Sequence, residues 1–345
     1  MKSIFFFIML FVQCLDVYAQ NNRTTLIGVN ITDYQKGTRN LKKINTYKIK
    51  KKIKELYKKG IVDIRLPFSF YKNLDSKHRI SKSFKKKIKS LVKYTENKKI
   101  NLILCNFDEK FTMSTYKSKE KDLIVNWIDL IDYIFKYDTY TQYELLNEPK
   151  LYPNEWWEFA SYMVSEINTR YPDKKIIIGA TNYNSIYELS RLKPLPFRNI
   201  VYSFHFYEPF IFTHQGASWI NSQNATIGIP YPYSTNTMPL LHTDAYGTDG
   251  VVNYKDYDLT GNKKALLQKI GIIYYWSKQY NVPLLCSEFG VIEKANNLDK
   301  CNYLIDLKDV LETYNIKGYV WEHEGNFGMM TKEYNFYKCL GFTNF

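Results

Sequence analysis

The sequence predicts an α/β chain folded as a single (β/α)8 TIM barrel, and three observations point there. Apolar strand-like runs alternate eight times with amphipathic helical runs, the signature of βα units around a parallel sheet. No Gly-rich phosphate loop follows the first apolar run, so an open doubly wound sheet is the weaker alternative. Several apolar runs end in polar residues able to do chemistry, as expected where strands open onto the mouth of a barrel.

Taken in order, strands are predicted at residues 26–29, 62–66, 101–105, 143–146, 175–178, 200–204, 283–286 and 318–320. Each is a short apolar run that suits a strand buried on both faces. The amphipathic stretches between and after them predict helices at 47–59, 81–97, 121–137, 154–170, 185–189, 262–280, 298–314 and 332–340. Residues 207–261 break the rhythm with a long connection rich in aromatic residues, Pro and Asn. Phe210, Phe212, Trp219, Tyr231 and Tyr233 argue against disorder there and for a wall of the cleft, where aromatic faces can stack on sugar rings.

Residues 1–19 stand apart from the fold. Lys2, the apolar run from Ile4 to Val12 and the small residue at Ala19 predict a signal peptide cleaved before Gln20, and hence an exported protein. The apolar run is shorter than the ~20 residues a spanning helix needs, so no stable membrane insertion is expected. What remains, residues 20–345, fits one catalytic domain. The net charge of +14 comes mainly from lysine clusters in the helical stretches 47–59 and 81–97, read as solvated outer faces, and no nucleic-acid-binding motif accompanies them.

Four cysteines follow the leader, without metal-ligand spacing. Cys105 and Cys286 lie at strand ends as small buried residues, whereas Cys301 and Cys339 can pair in an oxidising compartment. Sequons stand at Asn22, Asn30 and Asn224. Neither a metal ion nor a cofactor is expected, and the chain reads as a monomer.

The residues at the strand ends carry the functional signal: Arg65, Asn106, Asn147 with Glu148, His205 with Tyr207, Glu288 and Trp321. Two acids facing one cleft, Glu148 and Glu288, are the minimum equipment for glycoside hydrolysis. Glu144, Glu208, Glu322 and Glu324 lie near these positions and are read as bystanders.

Arg65-Leu66-Pro67, Leu146-Asn147-Glu148-Pro149, His205-Phe206-Tyr207, Ser287-Glu288-Phe289-Gly290 and Trp321, in this order, resemble glycoside hydrolase family five, the cellulase family. The resemblance spans essentially the whole chain after the leader. It implies a retaining mechanism with Glu148 as general acid and base and Glu288 as nucleophile. Arg65 and Tyr207 would then keep Glu288 ionised, Asn147 would meet the sugar 2-hydroxyl, His205 would orient Glu148 or touch substrate, and Trp321 would floor the cleavage subsite. One departure is plain. Such enzymes carry a His at the end of strand three, where Asn106 is the nearest candidate here. The expected activity is that of a secreted endo-β-1,4-glucanase acting on a polysaccharide or oligosaccharide. A β-mannanase, an exopolysaccharide hydrolase or a catalytically silent carbohydrate-binding protein are the alternatives.

Overall fold

The computed structural model describes residues 26–32, 34–35, 38–39 and 44–343. The expected signal peptide, its cleavage site and the Asn22 sequon lie outside these residues. Eight parallel strands close into a barrel: β1 (Ile27–Asn30), β2 (Asp63–Phe68), β3 (Asn101–Asn106), β4 (Thr141–Glu144), β5 (Ile176–Gly179), β6 (Ile200–Phe206), β7 (Leu284–Phe289) and β8 (Lys317–Val320). Closure comes from β1, which pairs with both β2 and β8. All eight predicted strands are present. The fourth begins and ends two residues earlier than expected, at Thr141 and Glu144, but its backbone pairing continues, with Leu145 N donating to Ile177 O and Asn147 N to Asn106 O.

Six long helices and one short one, α5, wrap the barrel: α1 (Thr46–Lys58), α2 (Lys82–Glu96), α3 (Tyr116–Ile134), α4 (Pro153–Arg170), α5 (Ile186–Arg191), α6 (Lys263–Tyr280) and α7 (Asn297–Thr313). Their starts follow from local chemistry. Asn45, Ser81, Asn262 and Asn296 each accept a hydrogen bond from a first-turn amide, and Pro153 opens α4 at the position where a missing N–H costs nothing. No described helix is long and apolar enough to cross a membrane.

The period-two alternation of the strands sorts their side chains into two cores. Outward residues such as Val29, Leu102, Leu104 and Phe204 pack with the helices, whereas Ile103, Cys105, Ile177, Leu285 and Tyr319 form a separate cluster inside the barrel. Gly28 makes room for the last of these, since a Cβ there would lie 2.5 Å from the Tyr319 ring.

One irregularity decides where an acid points. Pairing with β6 runs Phe204 to Cys286 and then His205 to Glu288, and pairing with β8 skips the same residue, so Ser287 is an extra residue bulged out of β7. Leu285 faces the barrel interior and Cys286 the helices. Strict alternation would turn Glu288 outward with Cys286, and the bulge turns it inward.

The eighth predicted helix is not formed. Residues 332–340 hold only a 3-10 turn, Phe336–Lys338, because Asn335 caps its start only one residue before Phe336 and Gly341, at φ +87°, follows directly after the segment. Phe336, Tyr337 and Leu340 are buried by lying flat against the barrel rather than on one helical face. Cys301 and Cys339 form a disulfide that ties this segment to α7. Two sequons are closed to modification in the folded chain, since Asn30 and Asn224 are buried and their amides donate to backbone carbonyls.

Cys301→Ser is expected to lower unfolding stability by about 2–4 kcal/mol, the usual worth of a disulfide. Denaturant titrations with and without reductant check this. A reductant effect that persists in the variant would show that the stabilisation lies elsewhere.

Candidate active site

Arg65 projects from β2 into the barrel with no exposed surface. Its guanidinium has five donors, and all are engaged. Nε and Nη2 bind the two oxygens of Glu144 at 2.6 and 2.8 Å, and Nη1 binds Asn30 Oδ1 at 2.8 Å and Glu288 Oε1 at 2.7 Å. Nη2 also reaches Asn147 Oδ1 at 2.7 Å and the Cys105 thiol at 3.1 Å. Burial works against its charge, but the carboxylates of Glu144 and Glu288 outweigh it and hold the pKa well above the ordinary arginine value. Burial pushes the Cys105 thiol up in turn, so it stays protonated.

Glu288 is gripped on both oxygens, by Arg65 at Oε1 and by the Tyr207 hydroxyl at Oε2, 3.0 Å away. Burial and the charges of Glu288 and Glu148 push the Tyr207 pKa far up, so the phenol remains a donor. Across the cleft Glu148, at φ +42°, ends the extended run after β4 and meets His205 Nδ1 at 2.9 Å. His205 Nε2 lies 3.6 Å from Glu288 Oε1, beyond hydrogen-bond reach. Burial alone would lower the His205 pKa, but the charge of Glu288 and the hydrogen bond and charge of Glu148 prevail, and it lies above the ordinary value. Glu148, His205 and Glu288 bring one ligand-type atom each to within 4.8 Å of one another. A metal ion could balance such a set elsewhere, but here Arg65 already supplies the positive charge at Glu288.

The cleft above these groups holds about 1210 Å³. That exceeds the roughly 300–1,000 Å³ of a small-ligand pocket and suits part of a chain molecule. Trp321, 4 % exposed, stacks on Phe107 with ring centroids 5.8 Å apart, giving the cleft one apolar wall. Gly290 lets that wall close in, since a Cβ there would lie 2.1 Å from Trp321 O. The connection 207–261 extends that wall, with Ala217 and Ile220 in the same apolar cluster as Trp321 and Phe107, and with Phe210 and the half-exposed Trp219 on the cleft. Phe212, Tyr231 and Tyr233 are instead internal to that connection and its packing on the barrel. Phe210 stacks at 4.3 Å on His214, whose pKa burial lowers to about 3, partly opposed by the charge of Glu148.

The structure brings Arg65, Asn147, Glu148, His205, Tyr207, Glu288 and Trp321 together as expected from the sequence. Asn106 is not among the residues that line the cleft. It shares strand parity with Leu102 and Leu104, faces away from the interior and accepts a hydrogen bond from Phe70 N at 3.3 Å. The next residue, Phe107, reaches the cleft instead. Glu144 corrects the bystander reading in the other direction, since it is the principal partner of Arg65. Glu208 pairs with Lys269, Glu324 with Lys52, and Glu322, which also lines the cleft, accepts from Thr32.

The turn after β5 carries a signal that sequence reading missed. Asn182, Tyr183 and Asn184 adopt φ of 53°, 60° and 57°, three consecutive left-handed non-glycine residues. Such backbone costs of order 1–2 kcal/mol per residue and collects at functional sites. Asn184 holds the turn by accepting from Ala180 N and donating to Ser203. The result is Tyr183, 73 % exposed on the cleft rim.

A family model for cellulases, glycosyl hydrolase family 5, matches residues 17–326. The chain belongs to this family. It is 34 % identical over 204 residues to endoglucanase 3 of Fibrobacter succinogenes, covering 54 % of this chain but only 30 % of that longer protein. Endoglucanase C of Acetivibrio thermocellus is 27 % identical over 297 residues, covering 81 % of this chain and 85 % of that one. Among solved structures, Cel5A of Thermotoga maritima in complex with cellobiose superposes with a TM-score of 0.74 at 21 % identity, over 93 % of this chain and 97 % of that one. The cellulose synthase subunit Z of Clostridioides difficile superposes at 0.73 and 22 % identity, over 91 % and 98 %. At those identities the likeness carries the barrel fold of the cellulase family.

Arg65→Lys keeps a charge but cannot reach Glu144, Glu288, Asn30 and Asn147 together. It is expected to cost about 3–5 kcal/mol of stability, the usual result of breaking a buried pair, and to lower kcat/KM at least roughly tenfold. Denaturant melts and steady-state kinetics read both, and a fully stable, fully active variant would refute the hub.

His214 stays neutral in the fold, while an unfolded chain protonates it below its ordinary value of 6.5. The unfolded state then binds the extra proton, so stability falls as pH drops from 6.5 towards about 3. His214→Phe is expected to flatten that part of the stability profile. An unchanged acid slope would exclude His214 as its source.

Proposed function

We propose that the protein is an endo-acting, retaining β-glycosidase that cleaves β-1,4-linked glucan, with Glu288 as nucleophile and Glu148 as general acid and base. The observation that carries this reading is the closeness of the two acids. One oxygen of each lies within 4.8 Å of one oxygen of the other, near the ~5–5.5 Å of retaining enzymes and short of the ~6.5–9.5 Å that leaves room for a directly attacking water.

The environments divide the labour. Glu288, 5 % exposed and held by Arg65 and Tyr207, is the immobile partner suited to attack the anomeric carbon. Glu148 is 26 % exposed and hydrogen-bonded to His205 Nδ1, so it is open to the leaving oxygen it would protonate and to the incoming water from which it would later take a proton. Attack joins Glu288 to the anomeric carbon as the glycosidic bond breaks. Water activated by Glu148 then releases the sugar with its original configuration. Arg65 has only donors, so it must face Asn147 Oδ1, which turns the Asn147 amide N–H2 towards the cleft and a substrate hydroxyl.

The open cleft supports endo action, and the named endoglucanase relatives support a β-1,4-glucan. The Thermotoga enzyme is also described in complex with mannotriose, which keeps β-mannan as a second substrate to assay. The apolar leader and the Cys301–Cys339 disulfide support export to an oxidising compartment. Tyr183 follows β5, the strand next to the one that leads to Glu148 and two strands from the β7 of Glu288, and reads as a platform for the leaving-group side of the chain.

Glu288→Ala is expected to abolish cleavage, with azide restoring turnover and giving a glycosyl azide of inverted configuration. A rescued product of retained configuration would remove Glu288 from the nucleophile role. Glu148→Ala should lose about 10²–10⁴-fold on natural glucan and far less on aryl glycosides with good leaving groups. Equal losses on both substrates would argue against Glu148 as the acid. Tyr183→Ala should weaken kcat/KM on long cellodextrins while sparing short aryl cellobiosides, and a loss independent of chain length would refute the platform.

A further inference from the structure

The charge of this chain is not spread evenly over the barrel. Helix α1 carries six lysines and one glutamate, and α2 carries the same. These two helices therefore hold a formal +10 of the total +14. They pack side by side, with Lys50 Nζ on α1 donating to Ser90 Oγ on α2 at 2.7 Å and lying over the Tyr94 ring. The balance reverses on α4, with three glutamates against one arginine, and on α7, with four acids against two lysines, while α6 carries four lysines and no acid but on an 18-residue helix, well below the lysine density of α1 and α2. Among the described residues, the lysines of α1 and α2 form two ion pairs, Lys52 with Glu324 and Lys85 with Asp129.

We infer that the α1–α2 wall is a docking surface for an acidic polysaccharide, a polymer with a carboxylate on its sugar rings. Three features select that partner. The wall is a stripe about 20 Å long whose lysines recur every turn, at roughly 5–6 Å, so a chain with regularly repeating carboxylates can meet several at once. Its large exposed hydrophobics are two tyrosines, Tyr47 and Tyr57, and it lacks the Trp, Phe or Leu anchors with which an amphipathic helix enters a bilayer. The wall also flanks the barrel rather than its mouth, so a polymer lying on it leaves the Glu148–Glu288 cleft open to a neutral chain. The catalytic domain would thereby be concentrated where neutral and acidic glycans are mixed, with electrostatic attraction as the driving force.

Binding is read without reference to catalysis, so its failure is distinguishable from failure of the glycosidase assignment. In affinity electrophoresis through polygalacturonate the protein is expected to be retarded, and not by hydroxyethylcellulose beyond its action as substrate. Affinity should weaken roughly tenfold between 50 and 200 mM NaCl as counterions compete. Replacing the exposed Lys51, Lys54, Lys82 and Lys86 by Gln should lower polygalacturonate affinity at least about tenfold, while turnover of a soluble neutral β-glucan stays unchanged. The control replaces the exposed Lys255, Lys264, Lys278 and Lys332, removing the same charge elsewhere, and should keep binding. Equal loss in the control would mean that net charge alone acts, and unaltered binding in the first variant would place the site elsewhere. Either result overturns the proposal, as would binding to phosphatidylcholine–phosphatidylserine vesicles with none to polygalacturonate.

Discussion

A guanidinium with no exposed surface must be wrapped completely in acceptors, and Arg65 imposes that demand on the whole upper half of this barrel. Glu144 gives it a two-point grip, Asn30 and Asn147 take further N–H groups, and Glu288 completes the set. These partners come from β1, β4, the segment after β4, and β7, so one buried cation locks the relative positions of strands on opposite sides of the barrel. The geometry of the candidate site is a by-product of satisfying it. Asn147 is oriented because its carbonyl is consumed, and Glu288 is immobile because one oxygen is consumed.

The bulge at Ser287 is what allows Glu288 to join. Without that extra residue the acid would lie on the same side as Cys286, among the helices, where nothing could balance its charge. The cost is small and local. Asn30 Nδ2 caps the bulged carbonyl of Ser287 at 3.0 Å, and Asn30 Oδ1 returns to Arg65, so the bulge and the hub share a partner.

The barrel was legible in the sequence because parallel strands are apolar on both faces and stand out from amphipathic helices, and all eight fell where the apolar runs do. Strand-end residue types were legible too, and Arg65, Glu148, His205, Tyr207, Glu288 and Trp321 do come together at the mouth of the barrel. Orientation was not. Asn106 and Phe107 differ by one residue, and only the register of β3 shows that the ring rather than the amide reaches the cleft. Glu144 looked like a bystander because an acid inside a strand is interpretable only once its facing is known. The last segment failed for another reason: the helical spacing of its apolar residues was real, but an Asn cap, a disulfide and a left-handed glycine hold it flat.

The central claim is that the Arg65 hub presents Glu288, and no other acid, to the anomeric carbon. Trapping with a 2-deoxy-2-fluoro glycosyl fluoride, followed by peptide mapping of the labelled protein, tests it most directly, because fluorine slows breakdown of a covalent intermediate. The account predicts one label per chain, on Glu288. A label on Glu144, Glu148 or Glu322, or time-dependent inactivation with no covalent label, would contradict it.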